Sequence, residues 1–337
     1  MNINTFVKIL FKNRKKLAKC ILLLKSNFAL RIVILTYIIL IPGYIFSQFT
    51  TIDSLKYWSL KAENNINISQ GVVSNWVEGG ENFVSLLGVS KLQANYKNDD
   101  VIWSNSAEIR YGLNILNDLT KANKIDLRKT DDRILIETTY GKKFYKNWYL
   151  SIMGNMKTQF SEGYNYPNDS IPVSDFMSPA KFYLAFGFEN KPHEGFNLLL
   201  SPLTIKTTIV ANKAVDETHF GIKEGERIDR QIGPYIKLMY KKKIMDNIIM
   251  DNKLSVFSNY LDHPLNLDID YQIDLTMKIN KYFQTTIHLH FLYDDNIDVP
   301  VYNYTSGKKV QVGTTKKLQF KEILTFGFIY TFSNNKE

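Results

Sequence analysis

Leu265-Asn266-Leu267-Asp268-Ile269-Asp270-Tyr271-Gln272-Ile273-Asp274-Leu275-Thr276-Met277-Lys278-Ile279 alternates apolar and polar residues without a break. Successive side chains of a strand point to opposite faces, so one face of this segment is wholly apolar and the other wholly polar. The run is longer than most strands of soluble domains. It suits a tilted strand with lipid on one face and a polar interior on the other. The even positions then turn Asp268, Asp270, Asp274 and Lys278 inward.

The same rhythm recurs along the chain. Apolar residues alternate at Phe283 to Tyr293, Trp103 to Ile115, Trp148 to Met156, Phe182 to Phe188 and Ile236 to Tyr240. Weaker alternation covers 66–74, 82–97, 132–143, 196–211 and 248–260. With a last strand at 317–332, the pattern predicts about twelve strands, the even number a single-chain bacterial barrel requires. Parity also places Glu108, Arg110 and Lys157 inside.

The connections support closure. Long ones are expected at 117–130, 163–178, 212–230 and 294–315, after strands three, five, seven and eleven. Short ones at 98–100, 145–147, 190–195, 244–247 and 280–282 follow the even strands. Outer-membrane barrels have this asymmetry, with long extracellular loops and short periplasmic turns, so both termini are expected on the periplasmic side. A periplasmic β-sandwich is the soluble rival, but its strands are shorter and its loops fall at both ends. The expected fold is an all-β, transmembrane, antiparallel up-and-down barrel over residues 66–332, with a short tail at 333–337.

The chain's ends agree with export. Residues 1–47 hold eight basic residues and no acidic one, then an apolar run from Ile32 to Phe46 that closes at Ser47 before Gln48. This describes a cleavable signal peptide with its cut between Ser47 and Gln48. Residues 48–65 are expected to be a periplasmic lead-in. The net charge of +9 falls to +1 without the leader, so the basic balance gives no support for nucleic-acid binding. Cys20, the one cysteine, lies in the leader, which leaves the mature chain without thiol chemistry. At the other end, Thr325, Gly327, Tyr330 and Phe332 mark a closing strand that resembles the assembly signal of outer-membrane barrels. Its partners would be outer-membrane lipid and, during biogenesis, periplasmic chaperones and the barrel-assembly machinery.

Several short stretches, taken in order, carry a family resemblance. They include Ser74-Asn75-Trp76 with Gly79-Gly80-Glu81, Trp103-Ser104-Asn105 with Tyr111-Gly112, Ser201-Pro202-Leu203-Thr204 and Tyr293-Asp294-Asp295. Together they resemble a family of Bacteroidetes-type exported barrels, domain of unknown function 3078, over residues 66–332. The resemblance implies an outer-membrane barrel of unassigned activity and brings no catalytic residues.

Chemistry is sparse. His288 and His290 share one face of a strand with Asp294, a column that would suit a transition metal or a proton relay, or simply a polar interior ladder. Asp294, Asn296 and Asp298 match half of a calcium loop, but Val299 stands where glycine is needed and Thr305 where glutamate is. No cofactor is expected. A lipid hydrolase on the barrel wall is the third reading, although no histidine has a serine two residues on. Mixed interior charge points instead to a restricted pore or a binding site for small polar solutes. The alternative is a closed barrel with an adhesion or envelope-organising role, its loop residues Tyr164, Tyr166, Tyr302 and Tyr304 meeting surface ligands.

Overall fold

The structure is a computed structural model that describes residues 57–71, 83–118, 124–165, 168–297, 299–305 and 308–334. The leader with Ser47 and Gln48, together with Tyr166 and Asp298, lies outside the described residues. Twelve strands close into one antiparallel barrel. They are β1 (Trp58–Gly71), β2 (Phe83–Lys97), β3 (Val101–Asp118), β4 (Lys124–Tyr145), β5 (Trp148–Thr158), β6 (Ala180–Asn190) and β7 (Phe196–Ile209), then β8 (Ile228–Met245), β9 (Ile248–Ser258), β10 (Leu267–Lys278), β11 (Phe283–Tyr293) and β14 (Gln319–Ser333). Each strand pairs with its neighbour in sequence, and β14 closes the ring against β1 from Lys61↔Ser333 to Asn67↔Gly327. Between β11 and β14 a separate hairpin, β12 (Val299–Thr305) and β13 (Lys308–Thr315), stands outside the ring and carries Tyr302 and Tyr304.

The outer wall is apolar. Leu150 is 58 % exposed and Leu324 63 %, and Ile152, Phe186, Ile236 and Phe328 are likewise open on the outside. In water such a surface would drive association, whereas in a bilayer it faces acyl chains. At the end where β1 begins and β14 finishes, aromatic rings meet edge to face: Trp58 with Tyr96 at 5.4 Å, Phe144 with Phe188 at 5.9 Å, Phe196 with Tyr240 at 6.4 Å. Rings spread around one rim in this way form an interfacial girdle.

Three boundaries differ from expectation. β1 begins at Trp58, so residues 58–65 are barrel wall and not a lead-in. Asn64 breaks the apolar rhythm there, and it is accommodated on the outer face by accepting from Ser90 Oγ at 2.9 Å. Second, most of the loop expected at 117–130 is strand, because β3 and β4 pair out to Asp118↔Lys124. Arg128, Lys129 and Thr130 read as loop because they offer no apolar residue, yet a backbone ladder needs none. Third, the tail starts later than 333: Ser333 ends β14, and Asn334 accepts from Leu60 N at 2.7 Å and donates Nδ2 to Trp58 O at 2.9 Å.

Candidate functional site

The inward parity of the strands fills the lumen in two chemically distinct parts. On the β5–β9 side, Met153, Ala185, Leu199, Tyr235 and Phe257 form a buried apolar cluster with Tyr183 packed against it. Met153 is 1 % exposed, a value that belongs to a packed core and not to a water channel. The sequence reading missed this cluster because it sought polar residues on the inner face. Inward parity was the signal available for it.

The remaining lumen is a lattice of charges joined across the ring. Arg133 on β4 donates Nη1 to Gln272 Oε1 on β10 at 3.0 Å, and these two strands stand diametrically opposed. Arg133 also grips Glu108 on β3 through Nη2. Lys157 on β5 reaches Asp270 on β10 at 3.2 Å, and Lys237 on β8 reaches Glu137 on β4. Nearer the mouth, Lys206 on β7 holds Asp268 at 2.5 Å. Pairs this far from bulk water are costly to break singly, since the abandoned partner keeps its desolvation penalty.

The predicted column of ligands does not converge. His288 Nδ1 lies 2.6 Å from Asp274 Oδ1, while His290 Nε2 lies 3.0 Å from a different carboxylate, Asp270 Oδ1. Asp294 is engaged by Lys181 at 3.4 Å and Lys206 at 3.7 Å, and accepts from the backbone N–H of Asn296 at 3.1 Å. Each imidazole is thus held by its own carboxylate and Asp294 by lysines, as in a hydrogen-bonded interior ladder. The remaining histidines engage local groups: His193 Nδ1 lies 2.8 Å from Glu194 O, His263 Nδ1 2.5 Å from Asp262 and His219 Nε2 3.8 Å from Asp216. Of the outer tyrosines, Tyr164 donates to Glu162 at 2.7 Å.

The lattice borders a chamber of about 410 Å³, lined by Arg133, Gln272, Lys157, Lys181, Lys253 and Asp294 among others. Lys253 is inward on β9 between Met239 and Gln272; among the described residues it forms no salt bridge, though Glu108, Asp251 and Asp274 attract its charge. His219 and Phe220, from the long connection after β7, reach over the chamber. That connection is folded: Val210, Val215 and Ile222 form a small core with Phe220. Arg227 donates to Val215 O at 3.0 Å and pairs with Glu217 at 3.1 Å. Gly221 turns with φ 75°, and a Cβ there would lie 2.8 Å from Asn296 Cβ, so the two loops touch.

A closed antiparallel ring, an apolar exterior and an aromatic rim together define an integral β-barrel of the outer-membrane class, of unassigned activity. A model of the family described as protein of unknown function (DUF3078) matches residues 68–164, from the end of β1 into the loop after β5. No curated protein matches the chain. Solved structures with some likeness include an outer membrane channel from Pseudomonas putida F1, at 10 % identity over 83 % of this chain and 100 % of that one, TM-score 0.35. Another is the translocator domain of the autotransporter NalP from Neisseria meningitidis, at 7 % identity over 86 % and 92 %, TM-score 0.33. The P. putida toluene transporter TodX covers 83 % and 89 % at 10 % identity, TM-score 0.26. These values are too low to carry any of the reasoning, and the class rests on the ring and its exterior.

Proposed function

We propose that this barrel is closed to free diffusion and uses its chamber to bind small polar solutes. The observation that carries the reading is the Arg133–Gln272 bond between diametrically opposed strands, with a buried apolar cluster on the β5–β9 side of the lumen. Water-filled pores keep their charges on the walls, with solvent between. Here the charges meet in the middle. The chamber is bordered by Lys253, which forms no salt bridge among the described residues, and by Tyr183 and Tyr235, a mixture suited to a small molecule with an anionic group.

In this reading both termini are periplasmic and the long loops extracellular, so the chamber opens to the cell exterior. Thr325, Gly327, Tyr330 and Phe332 then form the strand that the assembly machinery receives last. The test is single-channel recording of refolded residues 48–337 in a planar bilayer over a salt series. The expected result is folded, heat-modifiable protein with no steady conductance. A steady, salt-dependent conductance would overturn the closed lumen and return the barrel to the porins.

A further inference from the structure

The short hairpins at the end where β1 begins and β14 finishes do not share one composition. The β6–β7 hairpin carries no excess of positive charge: Lys191 pairs with Glu189 at 3.0 Å, and Glu194 follows His193. The β2–β3 hairpin sets Lys97 against Asp99 and Asp100. The β8–β9 and β10–β11 hairpins are different. Lys242 and Lys243 approach the first turn, Lys278 and Lys281 flank the second, and all four are exposed. Asp246 is the only acidic residue in 242–248 or 278–283. It meets Lys243 at 2.8 Å, but both side chains stand largely in solvent, where such a pair is weak. The two hairpins are neighbours in the ring, since β9 pairs with β10 out to Ile248↔Met277 and Lys278 N donates to Asn247 O at 2.7 Å. Four lysines therefore crowd one arc of the rim.

The same two tips expose apolar residues. Met245 and Ile279 are each 60 % exposed, and Ile244 and Tyr282 are open too. A turn immersed in water gains nothing from such residues, whereas one at the boundary of headgroups and acyl chains buries them. The depth agrees. Lys242 shares the outward parity of Tyr240, a girdle ring, and lies two residues further on, about 7 Å along the strand. The Tyr282 ring stacks on Phe328 of the outer wall at 5.8 Å, and Lys281 Nζ lies 4.7 Å from the Tyr282 centroid. Lys242 and Lys281 thus stand on the outer side of the rim, where girdle aromatics mark the headgroup level.

We propose that the β8–β9 and β10–β11 hairpin tips form a binding site for anionic phospholipid of the phosphatidylglycerol class. The apolar residues enter the glycerol and upper acyl region, while Lys242, Lys243, Lys278 and Lys281 meet phosphates whose charge no choline or ethanolamine cancels. A zwitterionic headgroup would leave the four ammonium charges uncompensated. An acidic soluble peptide would answer the lysines and leave Met245 and Ile279 without acyl chains to enter. The β4–β5 hairpin repeats the composition with Lys142, Lys143, Lys146, Phe144 and Tyr145, but it stands alone beyond the β6–β7 hairpin and is a weaker site of the same kind. The site does not depend on the chamber. With the termini periplasmic, the lipid comes from the periplasmic leaflet.

The test uses the full barrel in nanodiscs of phosphatidylcholine mixed with phosphatidylglycerol, one lipid or the other carrying a diazirine near the glycerol end of a chain. Photolabelled segments are mapped by mass spectrometry, with the β6–β7 hairpin as the internal reference. The expected result is a preference for phosphatidylglycerol at 242–248 and 278–283 of about fivefold or more over that reference, the factor a single lysine near the surface supplies. Lys242→Gln/Lys281→Gln is expected to remove most of it, Lys242→Arg/Lys281→Arg to keep it, and added salt to weaken it. Heat-modifiable mobility checks that each variant is folded. Equal labelling of the two tips by both lipids would overturn the site. A preference spread evenly over all the short hairpins, or one that survives the glutamine variant, would overturn it as well. Tips that neither lipid labels would sink the proposal and leave this arc to a soluble partner.

Discussion

Arg133 and Gln272 sit on strands half the ring apart, yet the guanidinium donates to the amide oxygen at 3.0 Å. A twelve-stranded wall is small enough for two long side chains to meet across its centre.

Cutting this bridge is expected to open the lumen. Arg133→Ala combined with Glu108→Ala removes the arginine and the carboxylate it grips, and so leaves no stranded charge between them. The double variant is predicted to stay folded and to show small, steady conductance where the parent shows none. The single Arg133→Ala variant is predicted to be less stable than the double, because it leaves Glu108 only its longer contacts to Lys91 at 3.9 Å and Arg110 at 3.8 Å. Equal stability of the two variants in urea would contradict the pairing.

Phe257 is 2 % exposed within the inner cluster, whereas Phe326 is 52 % exposed on the outside. Phe257→Ala is predicted to cost about 3–5 kcal/mol and Phe326→Ala clearly less, because only the first leaves a void. Equilibrium urea unfolding in vesicles reads the difference. Similar losses at both positions would argue that the cluster is not packed.

A Cβ on Gly327 would lie 2.1 Å from Asn67 Oδ1 and 2.8 Å from Ile66 O at the last pair of the closing ladder. Gly327→Ala is predicted to destabilise the barrel by about 1–3 kcal/mol, as overpacking does. The nearest obstacle is a side chain, so Asn67→Gly should restore much of the loss. Heat-modifiable mobility in gels follows both. An unchanged midpoint in the single variant would mean that the seam gives way freely.

The loop over the chamber carries its own pH dependence. The Glu217 carboxyl is lowered by backbone N–H groups, its own and that of Gly225, which donates at 2.7 Å, with Arg227 adding to this. Asp216 is lowered by the Thr218 hydroxyl, which donates at 2.6 Å. Carboxylates lowered in the folded loop stabilise it above the ordinary carboxylate range of about 4, and that contribution is lost as pH falls through their lower folded values. Hydrogen exchange at Gly225, corrected for intrinsic rate, should be flat between neutral pH and about 5 and then lose protection on acidification. Glu217→Gln should flatten the profile. A flat profile in the parent would refute the role of Glu217.

Much of the barrel was legible because a membrane imposes period two on each strand. Residues 265–279 could serve one architecture only, and the alternation of long and short connections told which end carries the loops. The start of β1, the last two residues of β3 and the first third of β4 escaped because their outer faces need not be apolar. At the site, parity correctly turned Asp268, Asp270, Asp274 and Lys157 inward. It did not reveal that Lys157 would meet Asp270 from five strands away.

Sequence alone determined that strands alternate, how many there are and which residues look inward, because these are local properties of a pleated chain facing two solvents. It could not say whether the inward residues meet. The contact of Arg133 with Gln272 across the ring and the inner cluster around Met153 depend on ring diameter and register. Those quantities exist only once all twelve strands have closed, when residues 139 positions apart come within one hydrogen bond.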